Sequence, residues 1–210
     1  MKIAYEHSHL NGKEYLQVHF PKELQEIIDV IERVNGNVWK KSAEDTKNKR
    51  AQRDGQPYAK VYDQKVINKD FKVRFEQLGW NGKRHKYFAT TDATVARDVI
   101  GLPADEAKKI IESKGLTAFS RSNQTDFVKS GIGVEVQFGK YSFVTYDFFV
   151  KHMVFFTSGD INVGVEIIPT SKMLKDMDSG PANYEGEIFN LYRQGRSTPA
   201  VPLWVLGIEP

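Results

Sequence analysis

The chain contains no cysteine, which excludes disulfide bonds and Cys-ligated zinc sites and fits a reducing compartment. It also lacks any apolar run near the roughly 18 residues a membrane span requires. The opening Met1-Lys2-Ile3-Ala4-Tyr5-Glu6 has no apolar signal-type segment, so a cytoplasmic protein without membrane attachment is expected. A strong charge bias is missing too: 30 Lys plus Arg stand against 27 Asp plus Glu, a formal net charge of +3. Affinity for a polyanion would therefore come from local patches rather than from bulk charge. Internal repeats and low-complexity linkers are absent, and 210 residues are most economically one domain with a substantial core.

The stretch that carries chemistry runs from Asn123 to Lys140. Two short apolar runs flank Ser130-Gly131-Ile132-Gly133, which predicts strand, tight turn, strand. Alternation in the second strand puts Val134, Val136 and Phe138 on one face and Glu135 and Gln137 on the other. Asp126 precedes the turn, and folding the hairpin returns its carboxylate towards Glu135, because each residue advances a strand by only about 3.3 Å. Two carboxylates and an amide converging on one point suit Mg2+, a hard cation that takes few carboxylates and keeps several waters. Taken locally, an Asp, a Glu and a Gln near a hairpin are usually solvated surface groups.

Elsewhere the pattern is architectural. A short first strand precedes Ser8-His9-Leu10-Asn11-Gly12, where either a hairpin or a Ser8-capped helix over Leu10–Val18 fits; the helix is preferred. His7, His9 and His19 lack a carboxylate partner at fixed spacing and receive no role. Pro21 opens a helix over Lys22–Val34, with Leu24, Ile27, Ile28 and Ile31 at helical spacing and Asn35-Gly36 as its stop. Between about 40 and 57 apolar residues almost vanish while Lys40, Lys41, Lys47, Lys49, Arg50 and Arg53 accumulate. That segment reads as a solvated loop or as an arm following a phosphate backbone. Helical spacing returns over Val61–Leu78, with Ile67, Phe71, Phe75 and Leu78 on one stripe and Asp70 and Glu76 as exposed charges. Lys83-Arg84-His85-Lys86 leads into Tyr87-Phe88-Ala89, an edge strand or hairpin. Asp92 can cap a helix through Ile100, and Pro103 can open another over Ala104–Lys114.

After the hairpin, Ser142 is expected to cap an apolar helix over Phe143–Phe156, with Tyr146, Phe149, Val150 and Met153 so greasy that part of it suggests a subunit interface. Ile161–Ile168 then alternates as a strand. Strand, helix, strand predicts that 134–138 and 161–168 lie parallel, and a mixed α/β sheet follows. A short helix from Ser171 to about Asp178, a loop at Ser179-Gly180-Pro181, a helix over Tyr184–Gln194 and a last strand over Leu203–Ile208 complete the chain.

The segment Asp126…Glu135-Val136-Gln137 resembles the Pro-Asp…Asp/Glu-x-Lys core of magnesium-dependent nucleases. Thr125 replaces the proline and Gln137 the lysine. Within the type II restriction endonucleases of the BstYI/BglII/BamHI group, Glu135-Val136-Gln137-Phe138 looks like the BglII form. The longer match, through Tyr141-Ser142-Phe143 to Arg193-Gln194-Gly195-Arg196, looks more like BstYI. The resemblance runs loosely along nearly the whole chain and is specific over residues 123–210. It implies a restriction-endonuclease-like core: a mixed sheet of five to six strands flanked by helices.

It further implies Mg2+ held by Asp126 and Glu135, with the Val136 carbonyl a third ligand and Gln137 orienting the attacking water. Such an ion polarises the phosphate and lowers the pKa of a bound water. Gln137 itself brings no positive charge. No side chain offers an obvious general base, which leaves the ion's own water or a neighbouring substrate phosphate to accept the proton. Lys140, at the end of the same strand, is a candidate donor to guanine O6 and N7, a pair worth about 1–3 kcal/mol of discrimination. Ser179 is placed by the resemblance in a base-reading loop, and Arg193 and Arg196 are candidates for base or phosphate contacts. The implied partner is double-stranded DNA, bound by a homodimer at a palindrome. The BstYI-like match implies a purine-GATC-pyrimidine site cut after its first base, with a companion methyltransferase. A structure-selective or repair nuclease of the same core, and a degenerate fold that only binds DNA, remain open alternatives.

Overall fold

The computed structural model describes residues 1–40, 61–139, 141–177 and 180–210. Most of the basic segment expected near 40–57, and Lys140, Asp178 and Ser179, lie outside them. Strands β1 (Lys2–His9), β2 (Asn81–Ala89), β3 (Phe119–Lys129), β4 (Ile132–Val136), β5 (Val163–Pro169) and β6 (Leu203–Glu209) form one six-stranded sheet in the order β1-β6-β5-β4-β3-β2. The strands β2, β3 and β4 are antiparallel neighbours, β4, β5 and β6 are parallel, and β1 closes the far edge antiparallel to β6. The expected parallel pairing of the strands around 134–138 and 161–168 is therefore present. All residues of β4, β5 and β6 are buried, as parallel strands covered on both faces must be.

Helices cover both faces. On one side α1 (Gly12–His19), α2 (Pro21–Arg33) and α3 (Gln64–Gln77) pack Leu16, Ile27, Ile31, Ile67, Phe71 and Phe75 against Val134, Val136, Val165 and Ile167. Burying each such side chain contributes about 1.5–3 kcal/mol, so the centre of the sheet is its most firmly held part. Smaller elements α4 (Ala93–Val99) and α5 (Ala104–Ser113) build a satellite core with Phe88 of β2.

On the other side lies α6, which runs through Tyr141–Tyr146, a π turn at Asp147–Lys151, and His152–Thr157. It begins one residue ahead of Ser142, so that residue is not its cap, since a capping residue must stand outside the helix. Val144 and Phe148 of α6 join Ile168, Leu203 and Val205, with Ile188 and Leu191 from the last helix, in a second core. The chain also includes α7 (Ser171–Leu174), shorter than expected, and α8 (Tyr184–Gln194), capped by the Asn183 side chain.

Several sequence signals act as they read. Asp63 and Asp92 accept from backbone N–H groups at the starts of α3 and α4. The first of these places the helix at Gln64 rather than at Val61, whose carbonyl instead accepts from the Lys40 N–H. The helix preferred after β1 is present, but Asn11 in the left-handed region precedes it and Ser8 Oγ accepts the Lys13 N–H from within the preceding strand. Asp70 and Glu76 pair with Arg74 and Lys72 on their own helix, which leaves them no part in a site.

Candidate active site

Ser130 and Gly131 alone connect β3 to β4, with φ of 51° and 78°. That left-handed pair matches the twist of the two strands. It sets the register Lys129↔Ile132, Val128↔Gly133 and Phe127↔Val134. Continued by one step, this register sets Asp126 opposite Glu135. The ladder stops there, and Asp126 Oδ2 accepts the Val136 N–H at 3.1 Å. The peptide whose carbonyl was expected to bind metal is thus fixed beside the first carboxylate.

A bulge adjusts the same place. Lys83 pairs with Thr125 but Asn81 with Val128, so β3 carries one residue more than β2 across Asp126 and Phe127. Bulges of this kind re-aim side chains beside functional sites. Here Asn123 is turned to the α6 side, where its Oδ1 accepts the Tyr146 hydroxyl at 3.0 Å.

Glu135 is 1% exposed. Its Oε1 has no hydrogen-bond donor among the described residues, and Oε2 faces the Lys151 ammonium at 2.9 Å. Asp147, equally buried, holds the same ammonium at 2.7 Å through Oδ1 and accepts Gln137 Nε2 through Oδ2 at 3.2 Å. The π turn supplies both Asp147 and Lys151; such turns recur at functional sites. Behind them His152 Nε2 lies 3.1 Å from Glu166 Oε2, and both are buried. Gly164 makes room for that ring, since a Cβ there would lie 2.5 Å from His152 Nδ1.

Burial, the neighbouring charge of Asp126 and, more weakly, that of Asp147 push the Glu135 carboxyl up to about 8. Burial raises Asp147 as well, partly offset by Lys151. Lys151 is driven up despite its burial, because Glu135 and Asp147 flank it. Glu166 is held well above the carboxylate range by burial and by Asp147 and Glu135, while burial and Lys151 lower His152 to about 3. Both shifts favour the uncharged form of each partner. The remaining groups are three carboxyls, Asp126, Glu135 and Asp147, around one ammonium; only when all three are ionised, as a bound divalent cation would favour, do they exceed it by two charges.

These groups fit such an ion: a buried carboxylate with an unpartnered oxygen, a second carboxylate across the strand gap and hard oxygen donors throughout. Among the described residues no group of three or more His, Asp or Glu side chains is placed to hold a metal ion, so Mg2+ here would rest on two carboxylates with waters completing its shell. Asp126 and Glu135 would hold it. A cavity of about 560 Å3 is lined by Asn123, Gln124, Gln137, Tyr146, Asp147 and Lys151 among others, and reaches Glu135 through the Lys151 ammonium that pairs with it.

Of the residues singled out in the sequence, Asp126, Glu135, Val136 and Gln137 come together. Gln137 is committed at both ends of its amide, since Oε1 accepts the Gly139 N–H at 2.9 Å while Nε2 donates to Asp147. It would have to release one bond to orient a water. Arg193 is exposed and lies over the Phe189 ring. Arg196 borders a different, smaller cavity with His7, His9 and Tyr192. Neither arginine lines the larger cavity. Four residues that complete the cluster were not foreseen: Asp147, Lys151 and His152, hidden in a helix that reads as apolar, and Glu166. A signal for the last does exist. Gly133-Val134-Glu135-Val136 and Gly164-Val165-Glu166-Ile167 share a pattern and pair residue for residue across the parallel strands.

The family model described as restriction endonuclease BglII/BglIII matches residues 4–208. No curated protein sequence matches. Among solved structures, that of restriction endonuclease BglII complexed with a DNA 16-mer superposes with a TM-score of 0.65 at 17% sequence identity, covering 100% of this chain and 79% of that one. That likeness concerns the fold.

Proposed function

The chain belongs to the BglII/BglIII family of restriction endonucleases and is a type II site-specific deoxyribonuclease, and from that premise we propose that it cuts double-stranded DNA as a Mg2+-dependent homodimer. The observation that carries the reading is the placing of Asp126 next to Glu135 through its bond to the Val136 N–H, with an unpartnered Glu135 oxygen behind the Lys151 and Asp147 side chains that line an open cavity. Hydrolysis adds water across one P–O bond: the water oxygen bonds to phosphorus and the departing oxygen leaves with a proton. Asp126 and Glu135 would hold Mg2+, which would supply charge neutralisation at the phosphate. The chain's own part is to fix the two carboxylates, keep the Val136 peptide beside them and line the space for the substrate.

The solved relative is complexed with a DNA 16-mer, and a two-fold dimer of this chain would read a palindrome because each subunit presents the same contacts to each half-site. We assign a GATC-centred site, purine-GATC-pyrimidine, cut after the first base to leave a 5′ GATC overhang. Lys140 and Ser179 are the base-reading candidates, with Arg193 and Arg196 on phosphates, and the basic segment near 40–57 an arm along the backbone. A cytoplasmic enzyme paired with a protective methyltransferase fits this role. Among the described residues no helix is long and apolar enough to cross a membrane.

The test is digestion of an unmethylated plasmid of known sequence with purified protein and Mg2+, followed by sequencing of every fragment end. Ends sharing one GATC-centred palindrome support the whole reading. A different shared palindrome removes the specificity alone, and ends without a common sequence favour a structure-selective nuclease. No cleavage favours a protein that only binds DNA.

A further inference from the structure

The position that ordinarily brings a positive charge to the scissile phosphate is filled here by Gln137, whose amide cannot carry one. It is moreover bonded at both ends within the protein. A pentavalent phosphoryl centre gathers negative charge on its oxygens, and a fixed cation aimed at it is among the largest single contributions to such catalysis. The charge must come from somewhere else.

We propose that Lys151, on the π turn of α6, supplies the positive charge at the scissile phosphate that Gln137 cannot. The proposal rests on the reading of the chain as a Mg2+-dependent nuclease. Three observations carry it. Lys151 is the one cationic side chain lining the 560 Å3 cavity among the described residues. Its side chain is 14% exposed, so the ammonium is held in a dry environment yet borders the space for substrate. It is also positioned in advance, at 2.9 Å from Glu135 and 2.7 Å from Asp147. An ammonium has three N–H donors, one more than the two carboxylates that flank it as ion pairs. Asp147 in turn is braced by Gln137, so the residue standing in the lysine's position on the strand steadies the lysine on the helix.

The competing account is that Lys151 only neutralises Glu135 and Asp147. The two differ in what happens at saturating cation. The experiment measures single-turnover cleavage of a cognate duplex by wild type, Lys151→Gln, Lys151→Met, Lys151→Arg and the double variant Gln137→Lys/Lys151→Met. Mg2+ affinity by calorimetry and DNA binding in Ca2+ are measured on the same proteins. The Gln variant keeps hydrogen bonding to both carboxylates without the charge, and it carries the comparison if the Met variant does not fold.

At saturating Mg2+, loss of the charge should slow cleavage by about 10²–10³-fold, with DNA binding within a few-fold of wild type. Lys151→Arg should recover most of the rate, and Gln137→Lys should restore part of it to Lys151→Met. A neutral variant that binds Mg2+ more tightly and cuts at the wild-type rate overturns the proposal, since Lys151 is then only a counter-ion. So does parallel loss of DNA binding and cleavage in the Gln, Met and Arg variants alike, which marks a structural role. Wild-type protein that cuts no duplex fails the nuclease reading itself and the proposal with it, whereas a cutting wild type matched by Lys151→Gln fails the proposal alone.

Discussion

Glu135→Gln in the metal-free protein isolates the electrostatic cost of the site. A glutamate moved from its ordinary 4.5 to about 8 by burial and by Asp126 corresponds to about 5 kcal/mol of destabilisation when fully ionised, at roughly 1.4 kcal/mol per unit. The sign follows from proton binding: the folded state holds this proton more tightly than the unfolded chain does. The stabilisation is thus complete below pH 4.5 and lost progressively as pH rises to about 8. Gln is neutral at every pH and of the same size, so wild type and variant should melt together near pH 4.5 and diverge above it. By pH 9 the variant should be the more stable, by roughly 10–20 °C in a chain of this length. Mg2+ should raise the wild-type midpoint at pH 8–9 and leave the variant nearly unmoved, because binding to the folded state alone adds stability. Calorimetric melts of both proteins at several pH values, with and without Mg2+, decide it. A difference between the two that stays flat from pH 5 to 9 refutes the picture of a carboxyl crowded by burial and like charge.

Asp126→Ala should abolish cleavage yet keep DNA binding in a shift assay; Asp126 is exposed and loses one hydrogen bond to Val136, which costs about 1 kcal/mol. Equal loss of both activities would make Asp126 a structural residue. Gly164→Ala should destabilise the fold by about 1–3 kcal/mol and displace the His152 ring that its Cβ would strike at 2.5 Å; urea unfolding at the wild-type midpoint would contradict this. Phe75 stacks on Phe127 with centroids 4.6 Å apart and is fully buried, so Phe75→Ala should cost about 3–5 kcal/mol as measured by the same titration.

What was legible in the sequence is what local periodicity controls. Asp126 and Glu135 lie close in sequence on two arms of one hairpin, and a period of two fixes which residues share a face. The parallel pairing of β4 with β5 followed from strand, helix, strand. Lys151 and Asp147 were not legible, because the helix around them is rich in Phe and Val and a charged pair four residues apart normally marks a solvated face. Only the sheet behind α6 shows that this pair points inward. The π turn and the bulge opposite Asn81–Lys83 each add one residue to a regular element, and neither leaves a composition signal.

These two insertions act on one cavity from opposite sides. Beside the bulge, β3 presents Asn123 to it, and the π turn aims Asp147 and Lys151. A strand can present side chains to one face only at every second residue, so a carboxylate on β4 and its cation two residues later compete for the same narrow edge. Moving the cation to a helix packed on that face removes the constraint. The ammonium approaches Glu135 from outside the sheet, and the vacated strand position becomes a neutral brace. What the chemistry requires is a charge at a point in space, and the fold can deliver it from either layer, provided the carrying element is anchored as α6 is by Val144 and Phe148 against β5 and β6.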